Sequence, residues 1–438
     1  MTAELARLSA SLAHVPAEAA SRARRLERLR ALDGRLRVAA ELPPPQARAG
    51  ARSAELAQRL AETLGGCVVG GTGGRIVITE EQLRFPLDVA AFSRLPFAVD
   101  PARPLLLLDT ETTGLGTAAG TVAFLIGLGR WQGELLRLRQ LWLPDHADEP
   151  ALLAALREEI PPDAWLVTYN GRAFDWPLLV TRYRIHRRSP PELAGHFDLL
   201  PVARQLWRHR LPDARLASVE AGVAGIRRSD DLPGALVPER YFAMLRGAPP
   251  RVLRPVAEHN RADVVAMAQL LRILAAQLAD PQARRAVHPG DLAGLGRAHR
   301  RRGELAEAAG CLGEALELAD DPTVSPPLDR DALALEHARL LGRLGRRPEA
   351  RAALTELAGR GGRTGVLAGI ALAVQLEHRE RDLPAALDAA RRAAEVQRRR
   401  RSLGLFLPEA ERDLPRRLGR LERRLRPGTP AARAANDC

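Results

Sequence analysis

Four consecutive leucines, Leu105 to Leu108, run straight into the polar motif DTETTG at 109–114. An unbroken apolar run predicts a strand buried on both faces, and period-2 alternation at its end predicts that Asp109 and Glu111 point the same way. Residues 121–129 (TVAFLIGLG) and 135–143 (LLRLRQLWL) read as two further strands joined by a turn at 131–134, which predicts a meander. Helical spacing over 151–160 stops at Pro161 and Pro162. The WLVTY run at 165–169 then predicts a strand parallel to the first, because a helix intervenes. Behind it, NGRAFDWP at 170–177 predicts a turn opening into a helix, with Asp175 in the first helical turn. Phe174 is expected to anchor that turn in the core, and Asn170 to hold it by side-chain to backbone bonds.

Further along, HFDLLPVARQLW at 196–207 offers Asp198 ahead of a helix, 216–226 predicts another helical element, and 227–241 predicts a polar, proline-containing loop. Val256, Val264, Met267, Leu271, Leu274 and Leu278 form a helical stripe, and His259 and Asp263, four apart, share a face of that helix. From Gly290 the chain becomes alanine-rich helices with short breaks. Three windows align: Gly303, Ala308, Leu312 and Ala315; Gly345, Ala350, Leu354 and Leu357; and Ala386, Ala390 and Ala393, the third without a turn glycine. Small residues at such positions let helical hairpins stack closely. The pattern resembles tetratricopeptide repeats.

These patterns divide the chain into a basic arm, helical or disordered, over 1–60, a small hairpin lead-in over 61–103, a main domain over 104–280, helical repeats over 290–400 and a basic tail over 401–438. No apolar run approaches the roughly 20 residues of a membrane helix, and no apolar signal core opens the sequence, so a cytoplasmic protein without membrane partners is expected. The 438 residues carry a net charge of +13 with no lysine at all, so every positive side chain is arginine. Arginine forks suit phosphate oxygens, which favours an anionic partner. Cys67, Cys311 and Cys438 are too scattered for a cysteine metal cluster or a disulfide framework.

Asp109, Glu111, Asp175 and Asp263 lie on three elements that converge if the strand ends meet. Four carboxylates crowd together only when cations neutralise them. Two Mg2+ or Mn2+ ions held by these four acids would activate a water and stabilise a leaving oxygen, which predicts phosphodiester hydrolysis. His259, one turn before Asp263, is the candidate base, since imidazole exchanges protons near neutrality. Asp198 either contacts the metals from behind or ties the following helix to its neighbours, and a structural, supporting role is favoured. The arginines at 172, 182, 184, 187 and 188 follow the second motif and are candidates for phosphate contacts.

DTETTG, N-x-x-x-F-D-x-P-x-L and H-x-x-x-D, in this order, resemble the three exonuclease motifs of the ribonuclease H-like superfamily, whose DEDD-type members use four acids and two metals to remove nucleotides from 3' ends. The resemblance implies an α/β fold, a mixed sheet with flanking helices, here followed by the all-α repeats. It implies that Asp109, Glu111 and Asp263 hold one metal, that Asp109 bridges to a second, and that Asp175 reaches the second largely through water. It also implies that Thr112, Thr113 and Leu115 line the pocket of the terminal nucleotide, with Asn170, Phe174 and Arg172 beside the substrate. Three residues between His259 and Asp263 is the spacing of the tyrosine branch of that superfamily, and N-x-x-x-F-D is that of polymerase proofreading domains. The mixture, with HFDLL, DLPG and HN-x-x-D, resembles a bacterial group of ribonuclease H-like exonucleases. Rival readings are a silent nucleic-acid-binding module, a metal-dependent endonuclease of the same fold, and a scaffold whose repeats recruit a protein and can be removed without loss of turnover.

Overall fold

The computed structural model describes residues 45–71, 73–114, 120–228, 232–321 and 324–426. The greater part of the expected N-terminal arm, Leu115 and the last residues of the basic tail lie outside these. Among the described residues, those up to Glu55 fall in one unit and those from Leu56 onward in another. Helix α1 (Pro45–Leu64) begins in the first of these and ends in the second.

Seven strands among the described residues form one sheet, in the order β1-β2-β5-β4-β3-β6-β7. They are β1 (Cys67–Gly71), β2 (Gly74–Arg84), β3 (Leu105–Thr112), β4 (Ala123–Gln132), β5 (Leu135–Trp142), β6 (Trp165–Thr168) and β7 (Gly195–Asp198). The meander β3-β4-β5 is antiparallel, while β6 and then β7 add parallel to β3. The hairpin read as a lead-in pairs through β2 with β5, so it is the outer edge of this sheet.

The leucine run of β3 is buried on both faces, as its pattern requires. Leu106 and Leu108 pack with side chains of α2 (Glu149–Glu159), α3 (Asp175–Ile185) and α6 (Val237–Leu245). Leu105 and Leu107 face the other core, beneath α4 (Leu199–Leu206) and α7 (Arg254–Ile273). Between them in sequence, α5 (Leu216–Val219) is a single turn. Helix α6 corrects the expected loop over 227–241: Val237, Tyr241 and Met244, at helical spacing, are buried, and the Tyr241 ring stacks on Phe124 at 4.2 Å.

The remainder is helical: α8 (Pro289–Arg302), α9 (Leu305–Leu318), α10 (Arg330–Arg343), α11 (Arg347–Gly359), α12 (Gly362–Gln375), α13 (Leu383–Ser402) and α14 (Pro408–Leu425). Each packs on the next, and α12 also touches α10 and α14, which makes a stack of hairpins. Gly303 and Gly345 turn the first two hairpins at φ +83° and +81°. In the third, Arg381 takes the left-handed conformation at φ +61° in place of a glycine. Within the expected basic tail, α14 packs on α13. Its anchor is Glu377, whose buried carboxylate accepts from Arg417 (3.0 Å), Arg420 (2.7 and 2.8 Å) and Arg424 (3.3 Å). The core under Leu105 and Leu107 continues without a break through Leu206 and Trp207 into Leu292, Leu312, Leu340 and Ala350 of the first two hairpins. No helix among the described residues is long and apolar enough to cross a membrane.

Candidate active site

The parallel strands β3, β6 and β7 end side by side, and the candidate residues gather at those ends. Asp109 sits opposite Gly127 of β4, and Leu107 opposite Gly129. Helix α7 crosses the sheet here because neither glycine has a side chain. A Cβ on Gly127 would come within 2.2 Å of the Asn260 amide oxygen, and one on Gly129 within 2.8 Å of Val264. The close approach puts the fully buried Asn260 against Asp109: its Nδ2 donates to Asp109 Oδ2 at 2.8 Å, and its Oδ1 accepts from Gln140 at 3.0 Å. Gln140 in turn donates to the Ala257 carbonyl at 2.8 Å and accepts from Thr79 at 3.2 Å.

Asp175 stands at the first residue of α3 and accepts from the backbone N–H and the hydroxyl of Thr110, at 3.1 and 2.5 Å. Thr110 alternates with Asp109 and Glu111, so the two motifs are laced together through it. Asp263 lies one turn after His259, whose Nε2 is 3.9 Å from Asp263 Oδ2. Its other oxygen meets Arg228 at 2.6 Å, and Arg228 also donates to the buried Glu220 at 2.7 Å.

The four acids feel one another. Burial pushes Asp109 well above the usual carboxylate range, and the charges of Asp263, Glu111 and Asp175 push it further, against the Asn260 bond. Asp175 is raised to about 6, chiefly by burial, with the Thr110 bonds opposing and Asp198 adding to the rise. Glu111 is itself buried. Asp109 and Asp175 are therefore carboxylates whose setting disfavours their charge.

Around this pocket several expected roles change. Asn170 does not hold its turn by its side chain. Its backbone takes φ +67°, which asparagine tolerates, and the turn is held by Asp198, which accepts from the N–H groups of Asn170 (2.7 Å) and Arg172 (3.1 Å) and caps α4 through Leu200 (3.0 Å). Phe174 is not a core anchor; it is 49% exposed. The Arg172 guanidinium bonds the His196 carbonyl. Arg182 is buried on Glu149, so it does not face a phosphate, and Arg188 bonds the Pro150 carbonyl, whereas Arg184 and Arg187 are exposed. The Thr112 hydroxyl donates to the Gly114 carbonyl at 2.6 Å, and that of Thr113 accepts from Val122 N–H at 3.0 Å, so both brace the strand end. Sequence reasoning missed Thr110, Asn260 and Arg228. Asn260 had a signal, its place beside His259 on the helix; Arg228 had none, because it arrives from a separate element.

One group of three among the described residues brings metal-ligand atoms within 4.8 Å of one another: His209, His288 and Asp291. That donor set is able to hold one metal ion. It lies beyond the C-terminal end of α4, the helix whose N-terminus Asp198 caps. The four acids do not converge that tightly, and a guanidinium stands on Asp263.

Residues 106–275 match the family described as the RNase_H superfamily. The uncharacterized protein YprB of Bacillus subtilis (strain 168) is 42% identical over 168 residues, which are 38% of this chain and 40% of that protein. The match thus spans less than half of either. A crystal structure of nearly identical TPR-like repeats of a kinesin light chain from Podosopora anserina aligns with 42% of this chain and 83% of its own, at 20% identity and a TM-score of 0.23. The matched residues 106–275, which hold β4 to β7 and nearly all of β3, resemble the RNase H-like fold.

Proposed function

We propose that this chain is a metal-dependent nuclease that hydrolyses phosphodiester bonds of DNA or RNA, with Asp109, Glu111, Asp175 and Asp263 as ligands of Mg2+ or Mn2+. The observation that carries this reading is that carboxylates from β3, α3 and α7 act on one another electrostatically, the charges of Asp263, Glu111 and Asp175 raising the pKa of the buried Asp109. Acids so placed hold their charge at neutral pH when cations join them. The donor set, all carboxylate oxygen, suits hard divalent ions. Ions held there would lower the pKa of a bound water and offset charge that develops on the phosphate.

The chain's own residues do the rest. Asn260 aims Asp109, and Thr110 aims Asp175. His259 is placed to take a proton from the attacking water. Asp263 has to exchange Arg228 for an ion. The exposed Phe174 offers a ring for the terminal base to stack on, and Arg184 and Arg187 offer cations to the backbone. The motif spacing supports removal of mononucleotides from a 3' end. The helical array would recruit a protein partner.

The Arg228–Asp263 pair supports a second reading, a module that binds nucleic acid without cutting it, since a cation already neutralises one acid. Mononucleotide release from single-stranded and duplex DNA and RNA in Mn2+ decides between the two. Turnover that drops at least about a thousandfold in Asp109→Asn supports the enzyme; binding without turnover on all four substrates supports the module. A strand blocked at its 3' terminus separates the modes of cutting, because internal cleavage would make the protein an endonuclease.

A further inference from the structure

We propose that His209 Nε2, His288 Nδ1 and Asp291 Oδ1 form a separate site for a zinc-class ion, which fastens the helical array to the sheet-bearing body. The site owes nothing to the four acids. His209 follows α4 in the body, whereas His288 and Asp291 open α8, the first helix of the array.

The spacing points to coordination. His209 Nε2 is 3.1 Å from His288 Nδ1 and 3.4 Å from Asp291 Oδ1. Two ligands on a tetrahedral zinc, with bonds of about 2.0–2.1 Å, stand about 3.3 Å apart. The protons point the same way. His288 Nδ1 accepts the Gly290 N–H at 3.0 Å, so it carries no proton, and its single lone pair is the one an ion would take from that bond.

The surroundings are built to match. Arg210 grips Asp291 through both oxygens, at 3.0 and 2.7 Å, and orients the carboxylate. A Cβ on Gly290 would strike His209 Nε2 at 2.3 Å, so only glycine admits the ring here. The His209 ring edge is partly exposed, which gives an ion entry and a fourth position for water. Two imidazoles and one carboxylate favour zinc-class ions over Mg2+. Binding replaces the Gly290 N–H bond to His288.

The test uses the metal-stripped full-length chain carrying Asp109→Asn, which weakens binding at the four acids. Zinc is titrated against a chromogenic chelator, and thermal unfolding is followed with and without it. The proposal expects one equivalent retained through desalting, a rise in Tm, and visible absorption from four-coordinate Co2+ in its place. His209→Gln and His288→Asn, the latter keeping a side-chain acceptor for the helix cap, should each weaken zinc at least tenfold and erase both signals. Their metal-free Tm shows whether they fold. Zinc bound no more tightly by the parent than by folded His288→Asn or His209→Gln overturns the proposal and leaves a hydrogen-bonded joint.

Discussion

With its carboxyl raised from the ordinary 3.8 to about 6, Asp175 binds its proton more tightly in the folded chain than in the unfolded one. Its contribution therefore favours folding below pH 4 and declines as the pH climbs through the window from about 4 to about 6; Asp109, raised further, extends the decline upward. At about 1.36 kcal/mol per unit, Asp175 alone accounts for at most about 3 kcal/mol, less because its side chain is only partly shielded from solvent. Unfolding of metal-free protein in denaturant should show this fall, Mn2+ should cancel it, and Asp175→Asn should flatten it while ending turnover. Metal-free stability that increases from pH 4 to 7 would contradict the crowding. Asn260→Ala leaves Gln140 and Asp109 short of a buried partner, so about 2 kcal/mol of stability should go, with a larger loss of activity than of fold. The acids were legible because each sits in a short motif whose period fixes its direction. Arg228 was not, since an ion pair between distant segments leaves no periodic trace.

Helix α7 can reach the sheet only across two bare glycines, so the crossing is where an element's position sets the chemistry. Gly127→Ala would put a methyl 2.2 Å from Asn260 Oδ1 and has to push the helix outward. It should cost about 1–3 kcal/mol in urea unfolding and weaken Mn2+ binding measured by calorimetry, because Asp263 and Asn260 travel together. Unchanged metal affinity in a destabilised variant would place the helix's grip elsewhere. Six of the strands and α7 were readable from their patterns, whereas the four residues of β7 were too few to show one. Helix α6 was obscured by the prolines before it, though Pro238 occupies the first turn, where a proline needs no N–H. Phe174 was misassigned for a different reason: apolarity suggests burial, yet an exposed ring beside an acidic pocket serves a ligand equally well.

Across the whole molecule, the unbroken core changes what a truncation does. Sequence alone suggested that the repeats could be removed with turnover intact, but Leu292, Leu295 and Leu312 cover the same core as Leu206 and Trp207. A chain ending at residue 288 should lose cooperative unfolding and turnover together, whereas one ending at residue 360 keeps Leu340 and Ala350 and should retain both, as calorimetry and nuclease assays would show. At the far end, Glu377 gathers three arginines of α14 onto one carboxylate. Trypsin, which cuts after arginine, finds three of its sites knotted there, and none can enter its cleft until the last helix lifts away. The first scission in that helix thus clocks the lifting, and its quickening with added salt would weigh the knot.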